Sequence, residues 1–134
     1  MIRPLTPADF PWCHDLCRRA YPLGYYDPMA SQRWFEALLQ SSGFRALRGD
    51  KAFAIAAIQE RPWNPARTDA FLLPVVAPDR SGFELYRLIR ALVVWAKRVG
   101  ADQFHFDAIT GVDFGPIAQR LGAKPASPNY ILQL

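Results

Sequence analysis

Cysteine and histidine are both scarce in these 134 residues, at two each. That scarcity excludes a disulfide framework and leaves little material for a metal centre. Cys13 and Cys17 sit four apart in an expected helix and share one face, where Cα atoms a turn apart are poorly placed for a disulfide. They read as two reduced core thiols. A zinc site would have to join them to His105, and the core reading is the simpler one. No apolar run approaches the ~20 residues of a membrane helix. The opening Met1 to Thr6 carries a proline and a charge where a secretory leader needs an apolar stretch. The expected location is the cytoplasm, or a particle such as a virion assembled in it. There is no internal repeat, and the 12 prolines are scattered, which suggests rigid connections rather than a low-complexity linker.

An apolar content of 51% argues against disorder and suffices for one core, so residues 1–134 are expected to form a single domain. The net charge of +4 suits a polyanionic partner or a phosphorylated cofactor, and equally an ordinary basic surface. No recognition motif accompanies the charge, so neither nucleic acid nor a membrane is expected as a partner.

The most strongly patterned stretch runs from Thr68 to Gly100. It reads as an apolar strand over Asp69–Val76, a short basic turn, and a helix stopped by Gly100. Ser81 with Glu84 three residues on forms a capping-box pattern, and Leu85, Leu88, Ile89, Leu92, Val93, Ala96 and Val99 make the expected buried stripe. Arg87, Arg90, Lys97 and Arg98 fall opposite, as a solvated face. A strand feeding a helix start can hold a phosphate, because the first N–H groups of a helix have no internal partner and the helix dipole is positive there. Pro74 cannot donate to a ladder, so a central strand must bulge or splay at that point.

Before this stretch, Ile2–Leu5 is a short strand and Thr6-Pro7 starts a helix to Ala20 with Phe10, Cys13, Leu16, Cys17 and Ala20 at helical spacing. A loop with Tyr21, Tyr25 and Tyr26 precedes a second helix over about Ala30–Ser41. Strands follow at Phe44–Arg48 and Ala52–Gln59, joined by a tight turn at Gly49-Asp50-Lys51. The alanines of the second suggest a strand covered on both faces. Glu60–Arg67, with Pro62 and Pro65, reads as a loop. After Gly100 come a strand over Gln103–Ile109 with Phe104, Phe106 and Ala108 alternating, a short helix over about Phe114–Leu121, and a last strand over Asn129–Leu134. The expected order is βααβββαβαβ, an α/β mixed sheet with helices packed on it.

That order resembles the GNAT (Gcn5-related N-acetyltransferase) superfamily over nearly the whole chain. Ile2-Arg3-Pro4-Leu5-Thr6-Pro7-Ala8-Asp9 is similar to a common opening there, and Val76-Ala77-Pro78-Asp79-Arg80 to its V-x-P-x-x-R strand end. Leu88 to Ala101 resembles the body of its central helix, Arg120 to Pro125 its K-L-G-F-x-P segment, and Tyr130 to Leu134 its last strand. The resemblance implies a GNAT-like fold and acetyl transfer from acetyl-CoA to an amine on a small molecule or protein. It implies that Leu73, Val75 and Val76 hold the pantetheine arm while Arg80, Ser81, Gly82 and Phe83 wrap the pyrophosphate.

The departures lie in the turn and the proton donor. The turn glycines of the family's R/Q-x-x-G-x-G/A pattern fall on Phe83 and Leu85, leaving only Gly82 bare, and Glu84 adds a negative charge. The usual tyrosine acid is Ala118 and a frequent asparagine is Gly111. Asp69 is the first candidate for the base, with Glu60 second; Tyr25, Tyr26 and Tyr130 could each donate a proton, and the sequence does not select among them. These departures imply a second reading, a catalytically degenerate GNAT-fold assembly module similar to small bacteriophage-encoded members, including virion components.

Overall fold

The computed structural model describes residues 1–21, 26–61, 63–76, 82–106, 115–125, 132 and 134. Strand β1 is Arg3–Pro4, and a 3-10 turn over Pro7–Asp9 leads into helix α1, Phe10–Ala20. Helix α2 spans Pro28–Leu39 and is followed by β2 (Phe44–Arg48), β3 (Phe53–Arg61) and β4 (Asn64–Val76). Helix α3 (Gly82–Arg98), β5 (Gln103–His105) and α4 (Gly115–Leu121) complete the described elements. The expected final strand lies outside the described residues.

Among these residues the sheet order is β1-β2-β3-β4-β5, antiparallel throughout except for the parallel β4–β5 pair. The single crossover, through α3, is what makes that pair parallel. Helices cover both faces. Leu47, Ala54, Ala56 and Leu72 pack against Leu85, Leu88, Ile89 and Leu92 of α3 and Ile117 of α4. Ala46, Phe53 and Ile55 pack on the other face against Phe10, Cys13, Leu16 and Cys17 of α1 and Phe35 and Leu38 of α2. Strand β3 is therefore buried on both sides, as its alanines imply.

Several local expectations shift, each for a physical reason. Helix α2 begins two residues early because the Asp27 carboxylate accepts from the N–H groups of Met29 (2.9 Å) and Ala30 (3.3 Å), with Pro28 at the first helical position. Ala20 and Val99 are exposed, since each lies at a helix end beyond the facing layer. The Glu60–Arg67 segment is not a loop: β3 and β4 run on through it, with Glu60 opposite Thr68 and Arg61 opposite Asn64. Helix α3 ends where Gly100, at φ 91°, lets the Ala101 N–H reach the Ala96 carbonyl at 2.9 Å.

Pro74 interrupts β4 as its missing N–H requires. Ala56 pairs with Leu72 and Ala54 with Val75, so Leu73 and Pro74 together face Ile55. This is a two-against-one bulge in the middle of the sheet.

Candidate functional site

The β4–β5 ladder pairs Asp69 with Gln103, Ala70 with Phe104 and Phe71 with His105. Strand β4 continues to Val76, still paired to β3, while the described pairing with β5 stops at Phe71. The described ladder with β5 ends at the Phe71–His105 pair, and the bulge at Leu73–Pro74 lies just beyond it on β4, the strand that precedes α3.

The start of α3 is less obstructed than the sequence suggests. Leu85, at one of the glycine positions of the family pattern, turns into the core at 2% exposure, and Phe83 points outward at 69%. A Cβ on Gly82 would meet nothing within 4 Å. Glu84 does not remain in the turn: its carboxylate accepts from the N–H of Asp50 and, at 2.8 Å, from that of Lys51. These are orphan donors of the β2–β3 hairpin, and Gly49 is bare where a Cβ would meet the same carboxylate. The capping-box partner Ser81, with Arg80, lies outside the described residues, as do Tyr25 and Tyr130.

On the sheet face opposite α3, a polar cluster joins three strands. Asp69 is buried at 5% exposure yet charged, because Arg61 of β3 grips both its oxygens (Nε at 2.6 Å, a terminal nitrogen at 2.9 Å). The same guanidinium donates to Gln103 Oε1 at 2.8 Å. His105 stacks on Phe71, with ring centroids 4.9 Å apart, and its Nε2 lies 3.5 Å from Asp69 Oδ2. That nitrogen is buried and makes no hydrogen bond within normal range. The Arg61 guanidinium, with a smaller contribution from His105, holds the Asp69 carboxyl below the usual carboxylate range against the opposing effect of burial. A carboxylate so held is a weak base. Sequence alone offered His105 only as a zinc ligand with Cys13 and Cys17; the signal for its place here was its position on the polar face of a stretch whose Phe104 and Phe106 pack inward against the α3 layer.

The other candidates fall elsewhere. Glu60 is exposed opposite Thr68. The Tyr26 hydroxyl is spent on His14 Nδ1, while His14 Nε2 meets Gln32 Oε1 at 2.8 Å, a tautomer consistent with both contacts. Burial pushes the Tyr26 phenol up to about 12, and pushes the Cys13 and Cys17 thiols up to about 12 and 11. Both cysteines are free, buried and poor nucleophiles. Among the described residues no three His, Cys, Asp or Glu could hold a metal ion, and no helix is long and apolar enough to cross a membrane.

Comparison with solved structures identifies the architecture as the GNAT acyl-CoA N-acyltransferase fold. Aminoglycoside 6'-N-acetyltransferase AAC(6')-Ig from Acinetobacter haemolyticus superposes with a TM-score of 0.76 at 19% identity, covering 100% of this chain and 97% of that one. Glucosamine-6-phosphate N-acetyltransferase from Arabidopsis thaliana gives 0.78 at 14%, covering 99% and 97%. Aminoglycoside N-acetyltransferase AAC(6')-Iy, in complex with CoA, gives 0.76 at 17%, covering 100% and 93%. No family model and no curated protein matches the sequence.

Proposed function

We propose that this chain is an N-acyltransferase that moves an acetyl group from acetyl-CoA to an amine. The observation that carries the reading is the bulge at Leu73–Pro74 near the end of β4, on the strand that precedes α3. Shared fold with acetyltransferases, one of them CoA-bound, supports the same assignment. Backbone groups of Leu73, Val75 and Val76 would hold the pantetheine arm. Gly82 and Phe83, with Arg80 and Ser81 from the preceding turn, would hold the pyrophosphate. When bound, acetyl-CoA supplies an acyl group activated as a thioester, and the CoA thiol leaves as the amide forms.

The chain's own contribution is proton handling and orientation. With its Nε2–H directed at Asp69, His105 carries its free lone pair on Nδ1, on a ring that remains partly exposed. Nδ1 takes the proton that the amine loses as its nitrogen bonds to the acyl carbon. Asp69 is a positioning residue: fixed by Arg61, it sets the tautomer and stabilises the imidazolium, as a carboxylate does behind any catalytic imidazole. Backbone N–H groups of β4 beside the bulge would serve the carbonyl oxygen as charge develops on it.

Calorimetric titration with CoA tests the cofactor. Binding is expected, and Arg80→Glu is expected to abolish it. An absence of heat at millimolar CoA contradicts the assignment and leaves the fold as a non-catalytic module.

A further inference from the structure

A concave surface lies on α3 away from the β4 bulge. An open groove of about 680 Å³ runs between α3 and the β1–β2 edge of the sheet. Its rim carries Arg3 and Arg45 on the strands and Arg87, Arg90 and Arg98 on the helix, with Trp95 in the wall. The floor is apolar and includes Leu47 and Val94. The helix arginines share one face because their spacing brings them round with the α-helical repeat, and Arg45 and Leu47 alternate onto the sheet face that meets α3.

Among the described residues, four of these cations have no acid of their own. Arg3 is bound to Asp9, but among the described residues no carboxylate pairs with Arg45, Arg87, Arg90 or Arg98. Glu84 is the one acid of α3, and it is engaged by the β2–β3 hairpin. A rim of like charges without counter-charges raises the local potential and invites an anion. Every cation is an arginine, the side chain whose planar fork matches a phosphate bidentately. Arg87 to Arg98 spans roughly 16 Å along the helix axis, too long for one phosphate. A duplex about as wide as a small domain does not enter a groove this size, whereas one strand does, with bases against an apolar floor that carries an indole.

We infer that this groove binds single-stranded nucleic acid through its phosphate backbone, without sequence preference, at a site separate from the β4 bulge. The test is fluorescence anisotropy of a labelled 12-nucleotide oligothymidylate on the full chain. With four phosphates neutralised, affinity is expected to weaken roughly 50-fold between 50 and 200 mM salt. The double variant Arg87→Glu/Arg90→Glu is expected to lose binding at least 10-fold with no change in thermal midpoint. Lys97→Glu/Lys124→Glu, which changes net charge equally but lies outside the groove, is expected to stay within 2-fold of the parent. Absence of binding at 50 mM salt overturns the inference. So does equal loss in the two double variants, or tighter binding of a polyglutamate of equal charge, which would make the partner an acidic protein segment.

Discussion

Two buried aspartates, Asp9 in the 3-10 turn and Asp69 in β4, are held by arginine in nearly the same way but have different neighbours. Asp9 accepts from Arg3 (2.7 and 2.9 Å), from Arg48 (3.0 Å), and from the Thr6 N–H (2.9 Å) and hydroxyl (3.1 Å). It rivets β1, β2 and the start of α1 together, and every nearby donor is satisfied. Arg48 is itself capped by Trp12, 3.7 Å from the ring centroid. Asp69 is gripped as firmly by Arg61, and it also lies 3.5 Å from His105 Nε2. Burial and pairing alone therefore do not tell the two carboxylates apart. The neighbouring imidazole does.

The contrast can be broken from either side. The largest effect is expected from His105→Gln, which keeps a polar side chain but removes the base: turnover should fall about 100-fold or more while CoA affinity is unchanged. An unchanged rate would return the base to another residue. Next, Asp9→Asn should lower unfolding stability by about 3 kcal/mol, because Arg48 is left buried and underpaired, with turnover per folded molecule preserved in activity assays.

The pH dependence follows from the sign of the shift. The Arg3 and Arg48 guanidiniums and Thr6 hold the folded-state Asp9 carboxyl well below the usual carboxylate range, so its stabilisation is complete above the unfolded value of about 4 and is lost as pH falls below it. Chemical denaturation from pH 6 to pH 3 should show a steep loss for the parent and a flatter one for Asp9→Asn.

Asp69→Asn is expected to reduce turnover about 10-fold and to leave CoA binding intact, and the reduction should disappear in a His105→Gln background if the two act as one unit. Additive losses would separate them. The smallest change is Gly100→Ala. A Cβ there meets no atom within 4 Å, so the cost of about 1 kcal/mol comes from the positive φ alone. Because the Gly100 carbonyl accepts from Thr68 Oγ1 at 3.2 Å, next to Asp69, a drop in turnover would show that the turn helps aim the carboxylate.

Much of this was legible from the sequence where one local rule decides the outcome. Pro74 had to interrupt a ladder, and the spacing of Leu85, Leu88, Ile89 and Leu92 had to bury one side of α3. Asp27-Pro28 is an equally local helix start, overlooked because the apolar stripe begins later. The Arg61–Asp69 pair was hidden because the prolines of this segment read as a loop, whereas β3 extends to Arg61 and β4 begins at Asn64, paired with it. His105 was hidden for a different reason. Only the parallel register places it beside Phe71 and Asp69, and that register depends on the crossover through α3, a contact far apart along the chain. The arginine groove needed both: helix spacing was readable, but the wall formed by Arg3 and Arg45 was not.

The proposed activity depends above all on an acyl-CoA binding along β4 at the Leu73–Pro74 bulge. Backbone amide chemical shifts, followed by NMR as CoA is added to 1 mM, test this directly. The expected result is perturbation of Leu72, Leu73, Val75, Val76, Gly82 and Phe83, with Arg45 and Arg90 unmoved. Shifts confined to the arginine groove, or none anywhere, would contradict it.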